Sequence, residues 1–294
     1  MTETDIAIIG GGAAGLSAAI YAARAGFIPC LFENVYMGGQ IANTDIIENY
    51  PAMGIISGYD LIEGFISHLK KFEYNLRNAE IFEISPEKVI KTSKGDYKAK
   101  AVIIATGARP RKLEVAGEES GGVSYCAVCD GNFYRKKTVA VIGGGNTAIH
   151  DALFLSRICE KVCLIHRRGE FRGNIAPLRE LPNVALVTDT ILTSINGGKK
   201  VSSITIQNVQ TKEVRDIQAD GVFAAVGTLP NTEFIRNLGI TDGNGAIVTD
   251  ECMRTSISGI FAAGDVRRTP LRQIITAAAD GAVAATYACA GIEG

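Results

Sequence analysis

Asp5-Ile6-Ala7-Ile8-Ile9-Gly10-Gly11-Gly12-Ala13-Ala14-Gly15 is the stretch on which the fold turns. Its first half is short and almost continuously apolar, as a strand buried on both faces of a parallel sheet must be. Gly10, Gly12 and Gly15 then fill the glycine places of G-x-G-x-x-G. The first permits a tight turn, the second lets backbone approach a pyrophosphate, and the third lets helix and strand pack closely. A helix is expected through about Arg24 and a strand from Ile28 to Phe32, with Glu33 at its end. An acid there accepts hydrogen bonds from a ribose diol. The order strand, turn, helix, strand, acid predicts a dinucleotide site, where the glycines alone would fit many turns.

The pattern then recurs. Thr138 to Ile142 reads as a strand and Gly143-Gly144-Gly145-Asn146-Thr147-Ala148 as a second turn, with alanine in the third place. A helix to about Arg157 and a strand from Val162 to Ile165 follow. Gly10 to Glu33 spans 23 positions, and so does Gly143 to His166. The chain therefore contains one βαβ unit twice. Where the first copy has its acid, the second has His166-Arg167-Arg168, with Arg172 beyond. A carboxylate there repels a 2′-phosphate, whereas arginines bind one through charge-assisted hydrogen bonds. The first site suits FAD or NAD and the second NADPH; the plainer reading of the arginines is a basic surface patch.

Between the copies stands Cys126-Ala127-Val128-Cys129-Asp130-Gly131. Two thiols at this spacing can close a small disulfide ring. A helical turn begun there lowers a cysteine pKa and supplies thiolate, the species that carries out thiol–disulfide exchange. Asp130 is placed to move a proton, or to cap the turn. The competing reading is half a zinc site, but no second Cys-x-x-Cys is present and Cys159 and Cys163 are spaced differently. No metal site is expected.

The rest of the chain frames these motifs. An amphipathic helix is expected from Tyr59 to Phe72, with Leu61, Ile62, Phe65, Ile66, Leu69 and Phe72 on its buried face and His68 at the surface. Segments near Ile81, Val89 and Tyr97 read as a small meander, and Ala101 to Ala105 as a separate buried strand. Val184 through Ile204 and Val214 to Phe223 reads as a second meander, after which Phe223-Ala224-Ala225-Val226-Gly227 echoes Ile103-Ile104-Ala105-Thr106-Gly107. A strand ending in Gly264-Asp265 precedes a final helix from about Leu271.

At 294 residues two domains are the natural expectation. With 30 basic and 31 acidic residues, net charge −1, the chain lacks the basic excess of a nucleic-acid binder. No run is read as a transmembrane span, since Asp280 breaks the alanine-rich tail, and no signal peptide is read before the first strand. Seven scattered cysteines fit a reducing cytoplasm with one redox pair, and Cys30, Cys163, Cys252 and Cys289 are expected in the core.

Taken together the motifs resemble the low-molecular-weight thioredoxin reductases over essentially the whole chain. The resemblance is carried by the first glycine turn, Gly38-Gly39-Gln40, Ala105-Thr106-Gly107, the Cys126–Gly131 segment and the second glycine turn. His166-Arg167-Arg168 with Arg172, Ala263-Gly264-Asp265-Val266 and Arg272-Gln273 extend it. It implies an α/β protein of two Rossmann-like three-layer dinucleotide-binding domains. An FAD domain (1–108 and 228–294) would be interrupted by an NADPH domain (109–227) carrying the dithiol. FAD contacts would be Gly10, Gly12, Ala14, Gly15, Glu33, Gly39, Gln40, Asn49, Thr106, Gly107, Asp265, Arg272, Gln273 and Ile274. Gly143, Gly145, Asn146, Thr147, Ala148, His166, Arg167, Arg168 and Arg172 would hold NADPH.

The resemblance further implies a cytoplasmic homodimer that reduces thioredoxin or a similar small protein, with no nucleic acid or membrane partner. Cys129 would face the flavin, Cys126 the partner, and Asp130 would protonate the departing thiolate. Linkers near 109–113 and 226–230 would be hinges, since family members rotate one domain between two poses. The chain departs from the family at His150, where an acid is usual, and at Gly169-Glu170, where Asp-Gly is commoner. The segment from there to Asn183 is also short. Alternatives are a ferredoxin-dependent flavin thioredoxin reductase, against which the arginines argue, and a flavin dithiol oxidase, which has no need of them. A nucleotide-binding redox sensor lacks any added interaction segment here, and a ferredoxin–NADP reductase lacks the dithiol.

Overall fold

The apolar run before Gly10 forms β1 (Thr2–Ile9), whose Ile6 to Ile9 are buried. The computed structural model describes residues 1–44 and 46–293. Small residues follow in α1 (Ala13–Arg24), and the chain returns in β2 (Cys30–Glu33), parallel to β1. In α2 (Gly58–Leu69), Ser57 Oγ accepts from Asp60 N at 3.0 Å and so caps the first turn. Its Leu61, Ile62, Ile66 and Leu69 are buried as the periodicity requires, each worth about 2 kcal/mol over exposure.

Four strands complete this part: β3 (Asn75–Asn78), β4 (Ile81–Ile84), β5 (Val89–Thr92) and β6 (Gly95–Ile104). Here the structure corrects the sequence. The third strand of the meander and the buried strand at Ala101 are one element. The first half of β6 pairs antiparallel with β5, while its whole length from Tyr97 to Ile104 pairs parallel with β1. The edge strand β3 went unread.

The chain leaves through β7 (Ala108–Pro110) and builds β8 (Val123–Ser124), α3 (Ala127–Asp130), β9 (Thr138–Ile142), α4 (Asn146–Ser156) and β10 (Lys161–Ile165). After α5 (Ala176–Arg179) come β11 (Val184–Val187), β12 (Thr190–Asn196), β13 (Ser203–Asn208), β14 (Val214–Gln218) and β15 (Gly221–Ala224). The second meander is narrower than expected. Only β12, β13 and β14 form the antiparallel sheet, while β11 and β15 belong to the parallel one. The return passes through β16 (Thr228–Pro230) to β17 (Ile260–Ala262) and α6 (Ile274–Glu293).

Two units result: Met1–Arg109 with the segment from Leu229 onward, and Pro110–Thr228. In the first, the parallel strands run β3-β2-β1-β6 with β17 beside β6; in the second they run β11-β10-β9-β15-β8. The first four strands match in place and in chain order, so the internal repeat extends beyond βαβ to four parallel strands; the fifth place is filled by β17 from the end of the first unit and by β8 from the start of the second. α6 is long and apolar enough by composition to cross a bilayer, contrary to the sequence reading. Its Ala284, Ala285, Ala288 and Cys289 are buried in the same core as α1, and its Asp280 is ion-paired there.

Candidate functional site

Each glycine turn sits at the carboxyl end of its first strand, the position from which open α/β sheets bind ligands. The glycines divide the work the same way in both copies. A Cβ on Gly10, whose φ is +106°, would stand 2.5 Å from the Ala105 carbonyl oxygen; one on Gly143 would stand 2.4 Å from that of Ala225. The residues met are the same step of the repeat, just past β6 and β15. Around Gly12 and Gly145, by contrast, a Cβ would meet nothing within 4 Å. Those two residues precede α1 and α4, and neither helix has a side chain capping its N-terminus. Each turn is therefore an open cradle with helix N–H groups facing it, suited to phosphate.

In the first unit Glu33 ends β2 and fixes the turn. Its Oε2 accepts from Gly11 N at 2.8 Å, and its Oε1 accepts from Asn34 N and Val35 N at 2.8 and 3.0 Å. A cavity of 580 Å³ opens beside it, lined by Tyr36, Met37, Ile62, Ile66 and Asn78 among others. Gly39 lies against Gly12, and Gln40 Nε2 donates to the Ala108 carbonyl. Asn49 Nδ2 donates to Gln273 Oε1 at 2.9 Å, just before Ile274 opens α6. Thr106 Oγ1 donates to the Asn231 carbonyl at 2.7 Å, and Asn231 N to that of Gly107 at 3.0 Å.

Asp265 follows β17. Burial pushes its carboxyl up to about 6, against the pull of Arg272, whose Nε donates to the Asp265 carbonyl at 3.5 Å. Sequence reading missed the support beneath it. Asp280, 6% exposed, takes Arg267 Nε at 2.6 Å and Nη2 at 2.8 Å, and accepts from Gly264 N at 3.1 Å.

In the second unit the basic segment folds back over its glycine turn. Arg172 N donates to the Gly144 carbonyl at 2.8 Å, and Gly173 leaves the room that Asn146 Oδ1 takes. His166 and its arginines are placed differently. Arg167, Arg168 and Arg172 are exposed, and among the described residues none makes an ion pair. His166 is 7% exposed and lies directly on Gly144, where a Cβ would stand 2.1 Å from its Nδ1; the Phe171 ring is 5.2 Å away. Burial, and then the three arginines, lower its pKa. Its Nε2 is buried with no hydrogen-bond partner among the described residues. Thr147 and Ala148 continue into α4, and His150 is exposed on it.

Cys126 and Cys129 form a disulfide, with Cα atoms 5.3 Å apart. Cys126 caps α3, its Sγ accepting from Cys129 N at 3.2 Å. The buried Ser124, which the sequence reading passed over, organises the segment. Its Oγ donates to Asp130 Oδ2 at 2.6 Å and accepts from Cys126 N at 3.0 Å. Tyr125 was missed as well; its hydroxyl donates to Glu118, which also takes Leu113 N and Glu114 N. Burial, and then that carboxylate, hold the phenol well above its ordinary range. The other thiols are unsuited to exchange chemistry: burial pushes Cys30, Cys159 and Cys289 up to about 11 and raises Cys163. Cys252 corrects the expectation of a core residue. It is half-buried, in a turn where its N–H donates to Asp250 Oδ1.

Residues 4–281 match the family described as pyridine nucleotide-disulphide oxidoreductase. The thioredoxin reductase of Bacillus subtilis (strain 168) is 41% identical over 291 residues, covering 96% of this chain and 92% of that protein. The crystal structure of thioredoxin reductase from Streptococcus pyogenes MGAS5005 is 42% identical, covers 99% of both chains and superposes with a TM-score of 0.89. Thioredoxin reductase from Giardia duodenalis, 34% identical, covers both chains fully with a TM-score of 0.91.

Proposed function

The chain belongs to the pyridine nucleotide-disulphide oxidoreductase family and is an oxidoreductase of the thioredoxin reductase type, and we propose how its residues divide the work. The family brings a flavin and a pyridine nucleotide; we assign FAD to the unit built from both chain ends and NADPH to the unit that carries the dithiol. The residues fit both groups. Gly12 and Gly145 leave the open cradles, Glu33 keeps a carboxylate at the ribose position, and the exposed arginines with His166 Nε2, which has no hydrogen-bond partner among the described residues, suit an anionic coenzyme. Bound flavin supplies the means to take two electrons from a reduced nicotinamide and pass them to sulfur.

The chain's own part is to bind, orient and move protons. Gly10, Gly12, Ala14 and Gly15 receive the FAD pyrophosphate. Glu33 takes the ribose, and Gly39, Gln40, Asn49, Thr106, Gly107, Asp265, Arg272, Gln273 and Ile274 line the remainder. Gly143, Gly145, Asn146, Thr147 and Ala148 receive the pyrophosphate of NADPH, and Arg167, Arg168 and Arg172 its 2′-phosphate, beside His166.

Opening the Cys126–Cys129 bond takes two electrons and two protons. Asp130, held by Ser124, gives its proton to the departing thiolate. The Cys126 thiolate then attacks one sulfur of the partner's disulfide, and Cys129 resolves the mixed disulfide, so that the partner leaves as a dithiol. Val128 and Phe133, 41% and 44% exposed, give the neighbourhood an apolar surface that suits a small protein partner such as thioredoxin. A homodimer in the cytoplasm is part of the same reading, and sedimentation tests the first.

The observation that carries the reading is the disulfide itself, one turn of helix with a fixed carboxylate, in the unit that also bears the arginine-flanked cradle. Anaerobic flavin absorbance tests it. NADPH is expected to bleach the flavin, and oxidised thioredoxin to restore its colour in wild type but not in Cys129→Ser. A flavin bleached by neither NADPH nor NADH points to a ferredoxin donor instead.

A further inference from the structure

An acid stands among the arginines of the second unit. Asp189 lies two residues past β11, with left-handed backbone at φ +49°. It is tied to the basic segment through the main chain. Its N–H donates to the Arg168 carbonyl at 3.2 Å, and that of Thr190 to the His166 carbonyl at 3.0 Å. The side chain goes the same way. Both carboxylate oxygens lie against Gly169, 3.4 and 3.5 Å from where its Cβ would stand. Gly169 is flanked by Arg168 and Glu170, and Arg172 is three residues on. Among the described residues Asp189 makes no ion pair.

The backbone does not explain the charge. A left-handed residue wants Gly, Asn or Asp, and asparagine meets that need without an anion. An uncompensated carboxylate beside a cationic cradle acts on whatever the cradle binds, and most on a doubly charged phosphate. Repulsive groups of this kind set selectivity as effectively as attractive ones.

We propose that Asp189 is a specificity-determining residue of the coenzyme site: its carboxylate opposes the 2′-phosphate of NADPH and leaves the 2′-hydroxyl form, NADH, unopposed. The inference rests on the coenzyme reading above. It makes the preference for NADPH weaker than the three arginines would give alone. A unit charge within a screening length of a dianion shifts its affinity by about fivefold at ordinary salt.

The test is calorimetric titration of the flavoprotein with adenosine 2′-monophosphate, alongside anaerobic flavin reduction by NADPH and NADH. Asp189→Asn and Asp189→Gly both keep the left-handed backbone. Each is expected to bind adenosine 2′-monophosphate about fivefold tighter than wild type and to raise the NADPH-to-NADH ratio of kcat/KM about as much. The gain should shrink as salt rises. Unchanged affinity and ratio in both variants, in a protein that NADPH still reduces, overturn the inference alone. Wild type that binds no adenosine 2′-monophosphate and is not reduced by NADPH overturns the coenzyme reading, and the inference with it.

Discussion

Ser124 Oγ donates to Asp130 Oδ2 at 2.6 Å and, from the other side, accepts from Cys126 N at 3.0 Å, so one buried hydroxyl fixes both the carboxylate and the first cysteine. Replacing it should loosen both at once. A hydrogen bond to a charged group is worth about 1.5–3 kcal/mol. Ser124→Ala is expected to slow thioredoxin reduction about tenfold or more while leaving flavin reduction by NADPH near its wild-type rate. Stopped-flow measurement of the two half-reactions separates these effects. Equal slowing of both would mean that Ser124 supports the fold of the unit and has no particular link to the dithiol.

The second glycine turn makes a contrast between neighbours. A methyl on Gly145 meets open space, but that space is the cradle; a methyl on Gly144 meets the imidazole of His166 at 2.1 Å. Gly145→Ala should fold with wild-type stability and raise KM for NADPH at least tenfold, because the methyl occupies the pyrophosphate's place. Gly144→Ala should lose about 1–3 kcal/mol of stability through overpacking as well as coenzyme affinity. Denaturant unfolding together with initial-rate kinetics distinguishes them, and a stable, active Gly144→Ala would show that His166 moves aside freely.

The buried Asp280 pairs with the half-buried Arg267, and its carboxylate also holds the Gly264 N–H. Removing the negative partner leaves a half-buried guanidinium uncompensated, at a cost of about 2–3 kcal/mol. Asp280→Asn is expected to release flavin at lower denaturant than wild type, since the turn it holds leads directly into Asp265. Arg267→Met with Asp280→Leu, which removes both charges, should recover much of the stability. Flavin fluorescence during unfolding reports both.

The parts of this molecule that were legible in sequence are those fixed by local geometry. The distance from Gly10 to Glu33 is set by one strand, one turn and one helix, so its recurrence from Gly143 to His166 announced the repeat before any contact was known. The glycine roles followed for the same reason. What could not be read depends on distant segments meeting. Asp280 meets Arg267 and Gly264 only because α6 packs beside α1, and His166 reads as a coenzyme contact like its arginines, whereas its burial against Gly144 shows only in the fold. Pairing also decides where strands end. The alternating residues of Gly95–Lys100 and the apolar run after them look like two strands, yet β1 pairs with both and makes them one. Ser124 carried a weak signal at best, a small polar residue two places before a redox cysteine.

Asp151 offers a check on electrostatics away from the coenzymes' phosphates. It sits on α4, half-buried, and among the described residues its carboxylate makes no hydrogen bond or ion pair. Burial pushes its pKa up to about 6, against the pull of His150. A carboxyl whose folded pKa lies above its unfolded value binds its proton more tightly in the native state. Its contribution to stability is therefore full at low pH and is lost as pH rises from about 4 through 6. Asp151→Asn cannot lose it. The variant's stability relative to wild type should accordingly grow across that window by about 2 kcal/mol and level off above pH 7. Urea unfolding of both proteins at pH 4.5, 5.5, 6.5 and 7.5 measures the difference directly, with the other titrating groups common to both. A constant difference would mean that Asp151 ionises in the native protein as freely as in the unfolded chain, and that water reaches the face of α4 on which it lies.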